Sequence, residues 1–311
     1  MLWSRLLGVI PLLFIVTVIV FGLIFLVPGD PAVTLAGENA TEERIDEVRS
    51  NLGLDDPVVV QYGRWVGDAV QGDFGTSLFS SAKVTDLVGG RFTTTIVLTA
   101  GALVFALAVG VPAGVLAASK RGSWVDRLVT LGATTGVALP SYFLAMLLIL
   151  FLAIRNSWLP ATGYVPFGDD PAEWAKSLVL PSIALGSSGA AVTARQLRSS
   201  LIDVFAQDYV RTARAKGMRS HTVVLKHALK NAAIPVVTVL GLQISFLLGG
   251  TVVIEQIFGI PGLGQLAITA VTEGDLPLIQ GIVVVATLVV IGVNLIVDLM
   301  YGYLNPKVRA R

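Results

Sequence analysis

Long apolar runs, rather than alternating or heptad patterns, organise this chain of 311 residues. A bilayer core is crossed by roughly 20 mostly apolar residues in a helix. Five segments meet that length: Leu6–Val27, Thr94–Ala118, Leu128–Ile154, Ala232–Ile254 and Leu278–Tyr303. A sixth, Leu178–Ala194, is shorter, uncharged and rich in Gly, Ser and Ala. The pattern predicts an all-α integral membrane protein with six transmembrane helices. The first run ends in Val27-Pro28-Gly29-Asp30 without a small-x-small cleavage site, so it reads as an uncleaved anchor.

The interruptions predict the rest of the layout. Residues 28–93 form a small ordered subdomain between the first two spans. In it, Thr41 before Glu42 and Glu43 marks a helix start, and Gly53 marks its stop. Gly110 and Gly114, four apart, suit close helix contact. Pro140 predicts a kink inside the third span, and Pro181 with Gly186–Gly189 an irregular fourth. Residues 195–235 read as helix, break, helix: good helix formers over Ser199–Lys216, a stop at Gly217, a cap at Ser220, then Pro235 near the start of the fifth span. The segments are therefore an N-terminus and first span (1–27), the subdomain (28–93), a transmembrane core (94–303) containing the loop 195–231, and a tail (304–311).

Charge orients this layout. Only 14% of residues are charged, against about 25% in soluble domains, and mean hydropathy is +0.78. The N-terminus, the loop after the second span, the loop 195–231 and the tail together hold 15 of the 22 Lys and Arg residues. The positive-inside rule then puts both termini and the basic loop in the cytoplasm, and 28–93 and the loop around Ile260-Pro-Gly-Leu-Gly264 outside. Glu255, Glu273 and Asp275, with no base nearby, fit an outer face. A five-span layout would split the basic segments between the two sides. A net charge of +1 gives no case for nucleic acid, and zero cysteines exclude disulfides and thiolate metal sites.

Catalytic and energising motifs are missing from the sequence. No G-x-x-x-x-G-K-[ST] phosphate loop, H-E-x-x-H or G-x-S-x-G occurs, and His221 and His227 stand six apart in the basic loop. These histidines read as solvated or packed on a partner, with no metal site. Leu185-Gly-Ser-Ser-Gly189 has no histidine or lysine in any span to activate a serine. Asp298, near the end of the last span, is the one ionisable residue within the spans and reads as interfacial. Energy must come from a partner or from an ion gradient, although gradient-driven carriers place carboxylates at mid-membrane. Gln243 and Ser245 in the fifth span, with Pro140 and Ser141 at the kink, are the pathway candidates. The basic segment Asp208–Gly217 either satisfies topology alone or docks on a partner.

That segment, with His227–Pro235, resembles the cytoplasmic signature loop of ABC importer permeases, most closely the dipeptide, oligopeptide and nickel branch. Arg211-Thr212-Ala213 stands where the general pattern has Glu-Ala-Ala, while Gly217 and Ile234-Pro235 match. Further similar stretches follow in order along nearly the whole chain: Val27–Pro31, Leu52–Asp55 with Gln61-Tyr62, Gly72–Ser77, Glu255–Gly264 and Asp275–Gly281. The resemblance implies a type I importer permease fold and import of peptides across the bacterial cytoplasmic membrane. It implies a homologous second permease, two cytoplasmic ATPases that bind the ATP and Mg, and an extracytoplasmic substrate-binding protein. It makes Asp208, Tyr209, Arg211, Thr212, Ala213, Ala215, Lys216 and Gly217 the coupling residues. Asp73, Phe74, Ile260, Pro261 and Gly262 become candidate contacts for the binding protein. The alternatives are an ion-gradient-driven secondary transporter without an ATPase and a membrane scaffold that transports nothing.

Overall fold

The computed structural model describes residues 2–22, 25, 32–33, 40–51 and 53–304. Val27–Pro31, Leu52, the tail bases Lys307, Arg309 and Arg311, and the Asp298 side chain lie outside the described residues. In chain order the helices are α1 (Leu2–Gly22), α2 (Glu42–Asn51), α3 (Val58–Val70), α4 (Val84–Ser119), α5 (Trp124–Ala138), α6 (Ser141–Leu148), α7 (Pro171–Phe205), α8 (Asp208–Ala215), α9 (Leu229–Phe258), α10 (Leu263–Glu273) and α11 (Leu276–Leu304). Wide π turns extend α6 over Ile149–Arg155 and lead into α9 over Val223–Ala228. Among the described residues there is no strand, only the isolated bridge Thr76–Lys83.

Among the described residues four helices are long and apolar enough to cross a bilayer: Val84–Ser119, Pro171–Phe205, Ser220–Phe258 and Leu276–Val297. The pair Trp124–Ala138 and Ser141–Arg155 makes a fifth if it counts as one broken span. The first expected span runs from α1 into residues outside the described set. Pro140 does more than kink the third span, because the two halves meet at 104°. Leu139 is pushed into extended backbone (φ −78°, ψ 122°), as the residue before a proline usually is.

The chain divides into two compact units, Met1–Thr93 with Gln265–Ile291, and Thr94–Gly264 with Gly292–Arg311. In the first, α1 meets α3 through an aromatic cluster. Phe21 lies edge-on to Tyr62 with centroids 5.6 Å apart, and the Tyr62 hydroxyl is 2.9 Å from that of Thr17. Thr41 caps α2, accepting from the Arg44 amide at 3.4 Å, and Gly53 (φ +62°) ends it. The same unit joins two stretches almost 200 residues apart. Buried Ser77 donates to buried Asp275 at 2.5 Å, and the Asp275 carboxylate also accepts from the Leu278 amide at 3.3 Å. Gly281 fits against Phe74 and Val84, where an added Cβ would come within 2.4 Å of Val84. Asp275 is thus a buried structural carboxylate rather than a solvated surface charge.

The second unit is built around α7. Asp170 caps it, accepting from the Ala172 and Glu173 amides at 2.8 and 3.1 Å, and Pro171 opens its first turn, where a missing N–H costs nothing. The helix is 35 residues long and continuous through Pro181, so the expected irregularity at Gly186–Gly189 is not observed. Those glycines serve packing instead. A Cβ on Gly186 would stand 2.4 Å from the Ala102 carbonyl oxygen, and one on Gly189 would stand 3.2 Å from Ala106 Cβ. The contacts are reciprocated. A Cβ on Gly110 or Gly114 would stand 2.7 or 2.8 Å from the carbonyl oxygens of Ala190 and Ala194. Gly136 of α5 faces Ala191 in the same way. As a result 67% of the apolar window of α7 is buried, against 28–33% in the other long helices. The outer helices turn large apolar side chains outward, such as Val104 on α4, Leu131 on α5 and Phe246 on α9.

Replacing Gly110 with Ala forces a methyl into the Ala190 backbone and is expected to cost about 1–3 kcal/mol. The same change at Gly132 of α5, with nothing within 4 Å, is expected to be neutral or to gain up to about 1 kcal/mol. Thermal unfolding of the two variants in one detergent checks the contrast.

Candidate functional site

The run expected to be one helix over Ser199–Lys216 breaks at Ala206 and Gln207. The break lets the short helix α8 lay one face on the unit's core: Val210 and Ala213 are buried against Val223, Phe205 and Met218. Ala213 therefore anchors the helix and is not presented outward. The opposite face is open: Asp208, Arg211, Thr212, Ala215 and Lys216 are exposed, and Arg211 lies 3.4 Å from Asp208. Tyr209, half-exposed, accepts from the Asn231 amide at 2.8 Å, tying α8 to the first turn of α9.

Gly217 ends α8 as the sequence implies. With φ +77° it donates to the Arg214 carbonyl at 2.9 Å, while Met218 donates to that of Ala213 at 3.3 Å, the paired bonds of a Schellman turn. The expected cap at Ser220 is displaced by one residue. Extended Arg219 holds the cap position without a side-chain bond, and Ser220 is the first helical residue. His221 is exposed, but His227 has its Nε2 buried with no hydrogen-bond partner among the described residues, so it is not solvated.

An ion pair that the sequence reading missed braces the neighbouring loop. Asp126, 4% exposed at the start of α5, receives both Nε and Nη2 of Arg198 from α7, the latter at 2.8 Å. The same carboxylate accepts from the Gly122 amide at 2.9 Å. The planar guanidinium fork matches the carboxylate at both oxygens, so the turn 120–123 is held against α7.

At its other end α9 carries Glu255, which is fully buried. Thr95 donates to its carboxylate at 2.7 Å and accepts from the Leu263 amide at 2.8 Å. Gly262 and Gly264 leave room for the carboxylate: a Cβ at either would stand 2.2 or 2.9 Å from its oxygens. Gly259 (φ +62°) reverses the chain so that the loop closes over it.

Comparison with known proteins gives the arrangement its family. Residues 110–310 match the family described as binding-protein-dependent transport system inner membrane component. Residues 1–99 match the N-terminal family of such membrane components. The chain belongs to this family. It is 45% identical over 306 residues to the glutathione transport system permease protein GsiC of Escherichia coli strain K12, covering 98% of this chain and 97% of that one. The GsiC proteins of Shigella dysenteriae serotype 1 and Shigella flexneri serotype 5b match to the same extent. Among solved structures, inward facing conformations of the MetNI methionine ABC transporter superimpose with TM-scores of 0.57 and 0.55 at 19% and 18% identity. Each covers 70% of this chain and 96% of the other. The fold is therefore that of an ABC importer permease.

In this permease the remaining candidates are scattered. Pro140 and half-buried Ser141 sit at the 104° break. Gln243 points its amide oxygen at Gly189 of α7, 3.8 Å from where a Cβ would be, and Ser245 is half-buried. Ile260 and Gly262 are buried within the loop that covers Glu255, so only Pro261 of that trio is partly exposed. Asp73 and Phe74 line an open pocket of about 350 Å³ in the first unit, together with Arg64, Trp65, Asp68 and Gln280. Of the residues that fix these sites, buried Thr95 and Asp126 and half-buried Arg198, none stands out in the sequence pattern, because each finds its partner in a distant part of the chain.

Thr95→Val keeps the shape but leaves the Leu263 amide and Glu255 short of a partner. It is expected to cost about 1–3 kcal/mol and to speed proteolysis within 259–264, read by limited digestion. Asp126→Ala strands the partly buried Arg198 charge and is expected to cost about 3–5 kcal/mol, read as a fall in thermal midpoint.

Proposed function

We propose that this permease is a transmembrane subunit of an ATP-driven importer that moves small peptides across the cytoplasmic membrane. The observation that carries the reading is α8. It is a short helix seated by Val210 and Ala213, stopped by the Gly217 turn, with Arg211, Thr212, Ala215 and Lys216 turned outward. A helix so anchored is displaced as a unit when a partner pushes on its open face. The concentration of Lys and Arg on this side supports an orientation with both termini and α8 in the cytoplasm. ATP and Mg then belong to two ATPase subunits docked there, a homologous permease completes the pathway, and a substrate-binding protein delivers from outside. Asp73, Phe74 and partly exposed Pro261 are the contacts assigned to that protein. The peptide class rests on the 45% identity to permeases named for glutathione, a tripeptide. Pro140, Ser141, Gln243 and Ser245 are assigned to the pathway.

A mild-detergent pull-down of the tagged chain from its host, read by mass spectrometry, is expected to recover a second permease, ATPase subunits and an external binding protein. Recovery of the chain alone, under conditions that preserve other membrane complexes, overturns the assembly. Gly217→Trp strains a left-handed position and alters the end of α8. It is expected to leave insertion intact while ATP hydrolysis no longer drives peptide uptake, measured together in proteoliposomes. Normal coupled uptake in that variant counts against α8 as the coupling element.

A further inference from the structure

Beside α8 the second unit has an open pocket of about 270 Å³ that the proposed coupling role does not use. Arg121 and Arg214 line it with the serines Ser119 and Ser220, and Ile202 and Phe205 form part of its apolar wall. Arg214 lies over the Phe205 ring at 5.3 Å, which orients the guanidinium without neutralising it. Among the described residues neither arginine has a carboxylate within ion-pair distance. Both are held from behind. The Asp126–Arg198 pair and the Gly122 amide fix the turn that presents Arg121, and the Gly217 turn fixes the approach to Ser220.

Two uncompensated guanidiniums and two hydroxyls around one small space suit a phosphate-type anion. The surface next to the pocket identifies its source. Trp124, three residues after Arg121, is 73% exposed, and Leu116 and Leu128 on the adjoining helices are 49% and 61% exposed. An exposed tryptophan with exposed leucines on the adjoining apolar helices is the composition of a membrane–water interface. Basic pockets between transmembrane helices on the cytoplasmic side hold anionic head groups. We infer that this pocket binds the phosphate head group of an anionic membrane phospholipid, with its acyl chains along Leu116 and Leu128, next to the element proposed to couple ATP hydrolysis to transport. The inference rests on the cytoplasmic orientation of the proposed function.

The test strips lipid from the purified importer in detergent and counts retained lipid by native mass spectrometry. Phosphatidylglycerol, phosphatidylcholine and inorganic phosphate are titrated separately. Phosphatidylglycerol is expected to be retained in preference to phosphatidylcholine, and millimolar phosphate is expected not to displace it. Each arginine removed, as R121Q and R121Q/R214Q, is expected to weaken retention about fivefold, the worth of one basic residue near an anionic surface. R121Q alone carries the test if the double variant does not assemble. Wild-type retention in R121Q overturns the inference, as does displacement by phosphate at equal affinity, which would make free phosphate the ligand. Loss of the ATPase subunits with lipid retention unchanged would make the pocket a protein contact and also overturn it. Failure of the proposed assembly reads differently: the wild-type preparation then lacks ATPase subunits whatever lipid it holds.

Discussion

Backbone contact along α7 is the constraint on which the second unit depends. In lipid, helices gain little from burying apolar side chains, because the solvent is as apolar as they are; close approach of backbones gains dispersion contact instead. Gly101, Gly110 and Gly114 of α4 and Gly136 of α5 meet α7 where it carries Ser182, Ala190, Ala191, Thr193 and Ala194. At Gly110 and Gly114 an added Cβ would meet the α7 backbone below 3.0 Å, and at Gly101 and Gly136 a side chain of α7 would have to shift. The helix with the least apolar appearance is therefore central, and its low hydropathy follows from its position. Side chains that would raise its hydropathy would hold its neighbours away.

Polar groups inside the units have few places to go, and three buried carboxylates are paired with sequence-distant partners. Ser77 with Asp275, Thr95 with Glu255, and Asp126 with Arg198 each close a long loop of chain. Such pairs add little net stability when formed but cost about 1–3 kcal/mol for the hydroxyl bonds and about 3–5 kcal/mol for the ion pair when one partner is lost. Their value is in register. A carboxylate that fits one hydroxyl and the space left by two glycines permits a single position for the loop above it.

Much of this was legible in the sequence. Long apolar runs identified the second to sixth spans, and Gly53, Gly217, Thr41 and the Gly110/Gly114 pair predicted turns, a cap and close packing. The failures share a cause. Proline and glycine in Leu178–Ala194 have the same composition as a broken helix, and only the presence of Ala102 and Ala106 opposite shows that they are contact surface. That Glu255 and Asp275 are buried could not be read from the sequence, because a partner 160 or 198 residues away leaves no local mark. For α8, pattern alone could not separate the anchoring residues Val210 and Ala213 from the exposed ones. Eight residues make barely two turns, and the face is chosen by Val223 and Phe205.

Two polar sites of the second unit lie at opposite ends of one element. Asn231, in the first turn of α9, donates to Tyr209 of α8; Glu255, in its last turn, accepts from Thr95 beneath the loop 259–264. Thirty residues at 1.5 Å each give a rod of about 45 Å. A hydrogen-bonded helix transmits a displacement along its axis with little loss, whereas a loop of the same length absorbs it in its dihedrals. On the proposed function, a push on α8 therefore reaches the far loop through the continuous helix α9. Pro235 removes one backbone hydrogen bond within the rod near the α8 end, so any bending is concentrated there, and the portion from Val236 to Phe258 moves as a piece. The glycine cradle around Glu255 then sets what that movement does, because the carboxylate can leave it only by breaking its bond to Thr95 and uncovering the loop.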